Sequence, residues 1–439
     1  MANSKPARIV ILGGGFAGMY TALQLEKTLA RKGDLEVTLV NRDNFFLFTP
    51  MLQEVAASDL DITNIVNPIR QMLRHVNFVA AEVKSIDLEN HRVNVAHGLE
   101  NHHHTLDYDQ LVISLGAITN FFNLPGLQDH ALTMKSLGDA INLRNRIIAN
   151  LEEANFECCA AARRRLLTFV VAGAGFAGVE TIAALNDFVR DALRFYPRLS
   201  QDMVRVVLVH PGEVILPECG ISLGRYAERK LRERQVEIKL NCRVTGLSEH
   251  MAELSDGTSA ETNTLIWTAG TAPNPLLVTL PCRSERGRIV VDEFLEVPGF
   301  PGVWALGDCA LVPDPETGKP QPPTAQHALR EGRVAAHNIA AVLRGTPKKA
   351  FSFSTLGQLA AIGRRTGVAN ILGINFSGFI AWWLWRTIYL SKLPRLEKKI
   401  RVTLDWTLDL FFSKDLVQFQ MLKSESISEY EAADEQKRA

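Results

Sequence analysis

The sequence has no charge excess, no paired-cysteine spacing and no apolar run at its start. Each absence narrows what the chain can be. Lys plus Arg number 48 and Asp plus Glu 48. A nucleic-acid binder shows a basic excess, so that class is excluded. The six cysteines are Cys158, Cys159, Cys219, Cys242, Cys282 and Cys309, and they form neither C-x-x-C nor a zinc spacing. They predict free thiols in a reducing compartment and no bound metal. The adjacent pair Cys158–Cys159 is far from unstrained disulfide geometry. The opening, MANSKPARIV, runs directly into apolar residues, so no secretory signal is expected.

What is present is a glycine turn that occurs twice. Arg8–Gly18 reads RIVILGGGFAG. Arg8 to Leu12 has the look of a buried parallel strand, and Met19–Ala30 has helical character. Between them Gly13, Gly15 and Gly18 are spaced G-x-G-x-x-G, a motif that is believable only in this strand–turn–helix setting. Gly13 allows the tight turn. Gly15 leaves room for a pyrophosphate, Gly18 lets the helix approach the strand, and the helix N-terminus offers N–H groups to phosphate. Thr168–Gly178 reads TFVVAGAGFAG and repeats the spacing at Gly173, Gly175 and Gly178. Two such turns in 439 residues imply two dinucleotides and two or three domains with large cores.

The strand after each turn is Glu36–Val40 in the first unit and Val204–Val209 in the second. Such a strand usually ends in an acidic residue that bonds the ribose. Here the positions are Asn41, followed by Arg42, and His210, with Glu213 three residues on. His210 leaves NADH against NADPH open. Phe78–Asp87 and His91–Val95 read as strands, and Leu137–Arg165 as one helix. Tyr108–Ala117 (YDQLVISLGA) and Leu265–Gly270 (LIWTAG) mirror each other as buried strands ending in a glycine step. His102, His103 and His104 cannot readily converge on one ion and predict a solvated hairpin tip.

Beyond Gly345–Lys349 the composition changes. Phe351–Leu372 reads as short strands and Gly378–Leu390 (GFIAWWLWRTIYL) as an apolar, aromatic helix. Thr366 to Trp385 is free of charge and approaches the ~20 residues that span a bilayer. Its first half nevertheless reads as strand and turn, so no span is expected. From Ser377 to Lys423 basic residues outnumber acidic ones eight to four. An aromatic, locally basic end suits a membrane interface, with an ordinary dimer face as the plain alternative.

The predicted fold class is α/β, with two Rossmann-like dinucleotide-binding domains, one inserted in the other, and a C-terminal strand-plus-helix membrane-associating region. Residues 1–119 and 291–347 form the first unit and 120–290 the inserted one. Residues 348–423 form the C-terminal region and 424–439 a polar tail without fixed structure.

The chain resembles the type II NADH dehydrogenases, single-chain, non-proton-pumping NADH:quinone oxidoreductases among the two-dinucleotide-binding-domain flavoproteins. The resemblance rests on GGGFAG, GAGFAGVE, ALGDCA, PTAQHALREG, GFIAWWLW and RVTLDWTLDLFF, which together cover nearly the whole chain. It implies FAD at Gly13, Gly15, Phe16, Gly18, Asn41, Arg42, Val83, Gly116, Gly307, Asp308 and Gln326. In that reading Val83 approaches the adenine through its backbone and Asp308 bonds the ribityl chain. It implies NADH, with NADPH open, at Gly173, Gly175, Phe176, Gly178, Glu180, His210, Ala269 and Gly270. Gln326 would lie beside the isoalloxazine and the quinone headgroup, and Ile380 in the quinone tunnel. Asn41, His210 and Ser377 depart from the family; members often carry a lysine at the last position, near the flavin.

The implied reaction passes a hydride from NADH to FAD and then two electrons to a membrane quinone. Glu180 is the candidate for proton handling, since burial raises a carboxylic pKa; its plain alternative is a carboxylate that complements a helix dipole. Gln326 is the candidate donor to the quinone carbonyl, with helix capping as its plain alternative. The expected place is peripheral, on the cytoplasmic face of the inner or cell membrane, with a homodimer as a further expectation. The competing readings are a sulfide:quinone oxidoreductase, which needs cysteines at the flavin, and a non-catalytic nucleotide-bound sensor.

Overall fold

In a computed structural model that describes residues 6–29, 35–315 and 318–419, two five-stranded parallel sheets repeat one plan. The first has the order Val303–Ala305, Gln110–Ile113, Ala7–Leu12, Leu35–Asn41, Asn77–Ala80. The second has the order Leu132–Thr133, Thr264–Trp267, Thr168–Ala172, Arg205–Val209, Val236–Lys239. All five residues of Thr168–Ala172 are buried, as a strand covered on both sheet faces requires. Each plan also carries a three-stranded antiparallel sheet before its return strand. It comprises Glu82–Asp87, Arg92–His97 and His102–Asp107 in one unit, and Val244–Leu247, Met251–Leu254 and Ser259–Glu261 in the other.

The outermost strand arrives last in the first sheet and first in the second. That difference follows from inserting one unit into the other. The chain leaves the first unit through Ala117–Thr119 and returns through Thr271–Pro273, and these two crossings pair antiparallel.

A third, antiparallel sheet is built from Gly357–Ala361, Gly367–Ile371 and Ile374–Gly378, followed by helices Phe379–Lys392 and Leu396–Leu408. Buried Phe351, Trp385, Val402 and Trp406 join their core to that of the dinucleotide units. Among the described residues no helix is long and apolar enough to cross a membrane. The uncharged run Thr366–Trp385 is split between a strand pair and half a helix.

Some local expectations are corrected. His102–His104 begin an exposed edge strand rather than a tip; the turn falls at Gly98–Asn101, both with positive φ. Pairing with Arg92–His97 satisfies the backbone groups on one side of the strand and stacks the His97 and His104 rings, with centroids 4.8 Å apart. Among the described residues no group could hold a metal. Leu137–Arg165 is two helices, Leu137–Phe156 and Ala160–Leu166. The break comes where Glu157 turns extended and its carboxylate accepts the Cys159 N–H at 2.6 Å. Phe78–Asp87 divides at buried Ala81 into a parallel-sheet strand and an antiparallel one. All six cysteines are free. The polar tail lies outside the described residues.

Candidate active site

The first turn has the shape its glycines dictate. Gly13 adopts φ +98, and a Cβ there would lie 2.3 Å from the Ser114 carbonyl oxygen. A Cβ on Gly18 would lie 2.0 Å from the Gly13 carbonyl oxygen, so helix and strand touch backbone to backbone. A Cβ on Gly15 would meet nothing within 4 Å. Helix Phe16–Thr28 starts at that open face with no side-chain cap and no acidic residue in its first turn, which leaves its N–H groups for an anion.

Asn41 accepts the Gly14 N–H at 2.8 Å and donates to the Asp43 carbonyl at 2.7 Å. Its side chain therefore braces the turn. Arg42 is exposed and Val83 buried. Gly116 and Gly307 both need positive φ. Asp308 accepts no hydrogen bond from the described residues. Burial pushes its carboxyl up while Lys135 draws it down, and Lys135 donates to the Ala117 carbonyl at 2.6 Å. An open glycine, an uncapped helix and an unspent, half-buried carboxylate fit FAD at this turn.

The second turn repeats the first. Gly173 has φ +102, and a Cβ on Gly178 would lie 1.9 Å from the Gly173 carbonyl oxygen. Helix Phe176–Ala192 is likewise uncapped at Gly175. His210 Nδ1 accepts the Ala174 N–H at 3.3 Å, and burial lowers the imidazole pKa. Ala269 and Gly270 close the far wall: a Cβ on Gly270 would strike the Phe122 ring. This turn fits a second nucleotide.

Glu180 and Gln326 are brought to one strand. Glu180 Oε1 accepts the Ala361 N–H at 3.1 Å and the Trp385 indole N–H at 2.8 Å. Gln326 Nε2 donates to the Gly357 carbonyl at 2.8 Å. The two residues thus grip opposite ends of Gly357–Ala361, about 13 Å apart at ~3.3 Å per residue. Gln326 lies just inside the helix that Thr324 caps, and its second amide hydrogen is unspent. Glu180 is buried, and desolvation pushes its carboxyl up to about 8. Ile380 lies in the first turn of Phe379–Lys392 with 59% of its surface exposed.

Some residues of the site escape a sequence reading. Trp385, fully buried beside Tyr389 with ring centroids 4.8 Å apart, belongs to a run that reads as generically aromatic. Glu331 accepts the Gly307 N–H at 2.7 Å, and burial pushes it up to about 7. Its signal is an acid four residues after His327, on the same helix face. Glu54 is buried and accepts the Trp406 indole N–H at 3.1 Å. An acid in the apolar helix Leu52–Ala56 is the only hint of it.

Comparison with known proteins bears on this arrangement. The model of the family described as pyridine nucleotide-disulphide oxidoreductase matches residues 7–332, and the NDH2 C-terminal domain matches 356–415. A type II NADH:quinone oxidoreductase of Mycobacterium tuberculosis is 32% identical over 91% of this chain and 87% of its own. A probable NADH dehydrogenase of Dictyostelium discoideum is 31% identical over 94% and 91%. The fold is similar to that of NDH2 from Plasmodium falciparum in complex with NADH. There the TM-score is 0.87 at 21% identity, covering 94% of this chain and all of that one. It is also similar, at TM-score 0.69 and 16% identity over 92% and 95%, to the sulfide:quinone oxidoreductase of Aquifex aeolicus.

Proposed function

The chain belongs to the pyridine nucleotide-disulphide oxidoreductases and, within them, to the type II NADH:quinone oxidoreductases, and from that premise we propose how its own residues serve the reaction. It is an FAD-dependent NADH dehydrogenase with quinone as acceptor. Bound FAD supplies the redox chemistry, accepting a hydride and passing on two electrons. Residues 1–119 and 291–347 hold it through Gly13, Gly15, Gly18, Gly116, Gly307 and Asp308. Residues 120–290 hold NADH through Gly173, Gly175, Gly178 and the wall at Ala269–Gly270.

Glu180 carries the proposal. It comes from the nucleotide-binding helix, yet both its hydrogen-bond donors belong to the C-terminal region. A carboxylic acid kept protonated at neutral pH can give its proton where quinol oxygens form. Gln326, with one amide hydrogen spent on Gly357 and one free, orients a quinone carbonyl. The sulfide reading needs a set of cysteines at the flavin, and of the six free cysteines only Cys309, buried, adjoins in sequence a residue assigned to FAD.

We place residues 348–419 against the lipid, on the cytoplasmic face where NADH is supplied. Leu396, Ile400, Leu404 and Leu408 recur every four residues along one helix and are all exposed, a stripe suited to an interface. A second copy packed on the stripe would compete with lipid, so sizing in detergent against vesicle binding separates dimer from membrane contact. The test of function is anaerobic. The yellow holoenzyme should bleach on adding NADH and regain colour on adding quinone. A colour that never bleaches would favour the sensor.

A further inference from the structure

Two consecutive residues of helix Phe379–Lys392 reach toward two buried carboxyls from different dinucleotide units. Trp385 donates its indole N–H to Glu180 at 2.8 Å. The Arg386 guanidinium lies over the rings of Trp382 and Trp406, 4.3 and 4.5 Å from their centroids. Trp406 in turn donates its indole N–H to Glu54 at 3.1 Å. Helices Leu52–Ala56 and Phe176–Ala192, which carry the two glutamates, pack against each other. Each carboxyl is thus held by one indole under a shared aromatic cover.

Glu54 is only 8% exposed, and the Trp406 indole is the one hydrogen-bond donor to its carboxyl among the described residues. That carboxyl has no direct ion pair among the described residues, although Arg386, over the Trp406 ring, draws it toward ionisation, and an apolar residue would fill the space at less cost. A further ionisable pair lies beside Glu54. The Asp59 backbone N–H donates to the Glu54 backbone carbonyl at 2.7 Å, which sets the two residues side by side without bonding their carboxyls, and the Asp59 carboxylate pairs with Lys414 at 2.6 Å, 17% and 8% exposed respectively.

We infer that Glu54 relays the proton consumed in quinone reduction, receiving it by way of the half-buried Asp59 carboxylate and restoring it to Glu180. This rests on the function proposed above. Overall, NADH, one proton and a quinone give NAD+ and a quinol, so one proton per turnover comes from water. Glu180 gives its proton to a quinol oxygen and becomes a carboxylate; the Glu54 O–H then reprotonates it, and Glu54 is refilled from solvent. No electrons pass through either carboxyl.

The surroundings suit a proton that is held but exchangeable. Burial raises Glu54 to about 7; Arg386, Trp406 and Lys414 pull it down while Asp59 pushes it up. Across the helix interface Glu54 in turn raises Glu180, so ionisation of one disfavours ionisation of the other. Arg144, on the packed helix Leu137–Phe156, faces Asp415 and Asp61, and Asp409 acts through Arg386 and Lys414.

The test uses the full-length holoenzyme and the variants Glu54→Gln and Glu54→Asp. NADH bleaching and quinone reoxidation of the flavin are followed separately from pH 5.5 to 9, together with reduced-minus-oxidised infrared difference spectra in the carboxylic C=O region. Glu54→Gln should leave bleaching within about twofold and slow reoxidation about tenfold or more above pH 7. It should also remove one of two carboxylic bands, and Glu54→Asp should restore part of the rate. Wild-type reoxidation with an unchanged pH profile and both bands present in Glu54→Gln overturns the relay. So does an equal slowing of both half-reactions in the two variants, which marks Glu54 as structural. A wild-type enzyme that bleaches but no quinone reoxidises defeats the proposed function itself.

Discussion

Asn41 and His210 hold the same place in the two dinucleotide units, and each accepts the N–H of the residue after the first glycine of its turn. Asn41 takes it from Gly14 at 2.8 Å and His210 from Ala174 at 3.3 Å. Neither strand therefore ends in a carboxylate that would bond a ribose and repel a 2′-phosphate.

The first prediction follows at His210. His210→Glu keeps an acceptor for Ala174 and adds a negative charge where a 2′-phosphate would lie. NADPH kcat/KM should fall by about tenfold relative to NADH, roughly 1.4 kcal/mol. Steady-state kinetics with both nucleotides measures this, and an unchanged ratio would mean that the 2′ position points elsewhere.

Glu180 links pH to stability. Its folded pKa, about 8, lies above its ordinary value of 4.5. Its contribution is therefore full below about pH 4.5 and is lost as pH rises through about 8. Glu180→Gln keeps an oxygen for Trp385 and Ala361 without the charge. The fall of Tm between pH 5 and 8 should be shallower in this variant, with Glu54 and Glu331 supplying the remaining slope. Calorimetry across that window checks it; identical slopes would mean a solvated carboxyl.

Gln326→Ala removes both the donor to Gly357 and the free amide hydrogen. The quinone KM should rise, on the order of tenfold for a lost hydrogen bond of ~1.5 kcal/mol. Flavin content and NADH bleaching should stay as they were. If flavin content alone drops, Gln326 is a packing residue of the FAD site.

Membrane attachment can be tested on the surface alone. Removing everything after Pro347 would strip Trp385, Val402 and Trp406 from the core and unfold more than it informs. Ile400→Glu with Leu404→Glu alters exposed side chains instead. Each apolar side chain contributes about 1.5–3 kcal/mol when buried, so sedimentation with anionic vesicles should fall by about a hundredfold or more. NADH–dye activity should persist, and co-sedimentation equal to wild type would rule out the stripe as the lipid contact.

The parts of this protein legible in its sequence are those fixed by local backbone geometry. Gly13 and Gly173 mark turns because only glycine tolerates their φ beside a neighbouring carbonyl, and apolar runs mark the strands that follow. The repetition of one unit in outline is accessible by the same route, while the order of strands in each sheet is not. The site is only half local. Glu180 is picked out by the family resemblance at GAGFAGVE, but its partner Trp385 lies 205 positions away, and Trp406 lies 352 from Glu54. Such pairs leave no periodicity to read. His102–His104 misled for a different reason: composition suggested a turn, whereas the turn falls just before them and pairing with the adjacent hairpin arm decided their conformation.

The paired crossings Ala117–Thr119 and Thr271–Pro273 have a consequence for how the chain can be cut and rejoined. The inserted unit begins and ends at adjacent rungs of one antiparallel ladder, where paired Cα atoms lie about 4.5–5.5 Å apart. The ladder acts as a doorway rather than a seam: a two-residue turn from Thr119 to Thr271 would close it. The first unit would then run as a continuous chain, but Phe169, Val171 and Ile182 of the inserted unit share its core, so a foreign nucleotide module spliced into the same opening has to supply that apolar face as well as neighbouring termini.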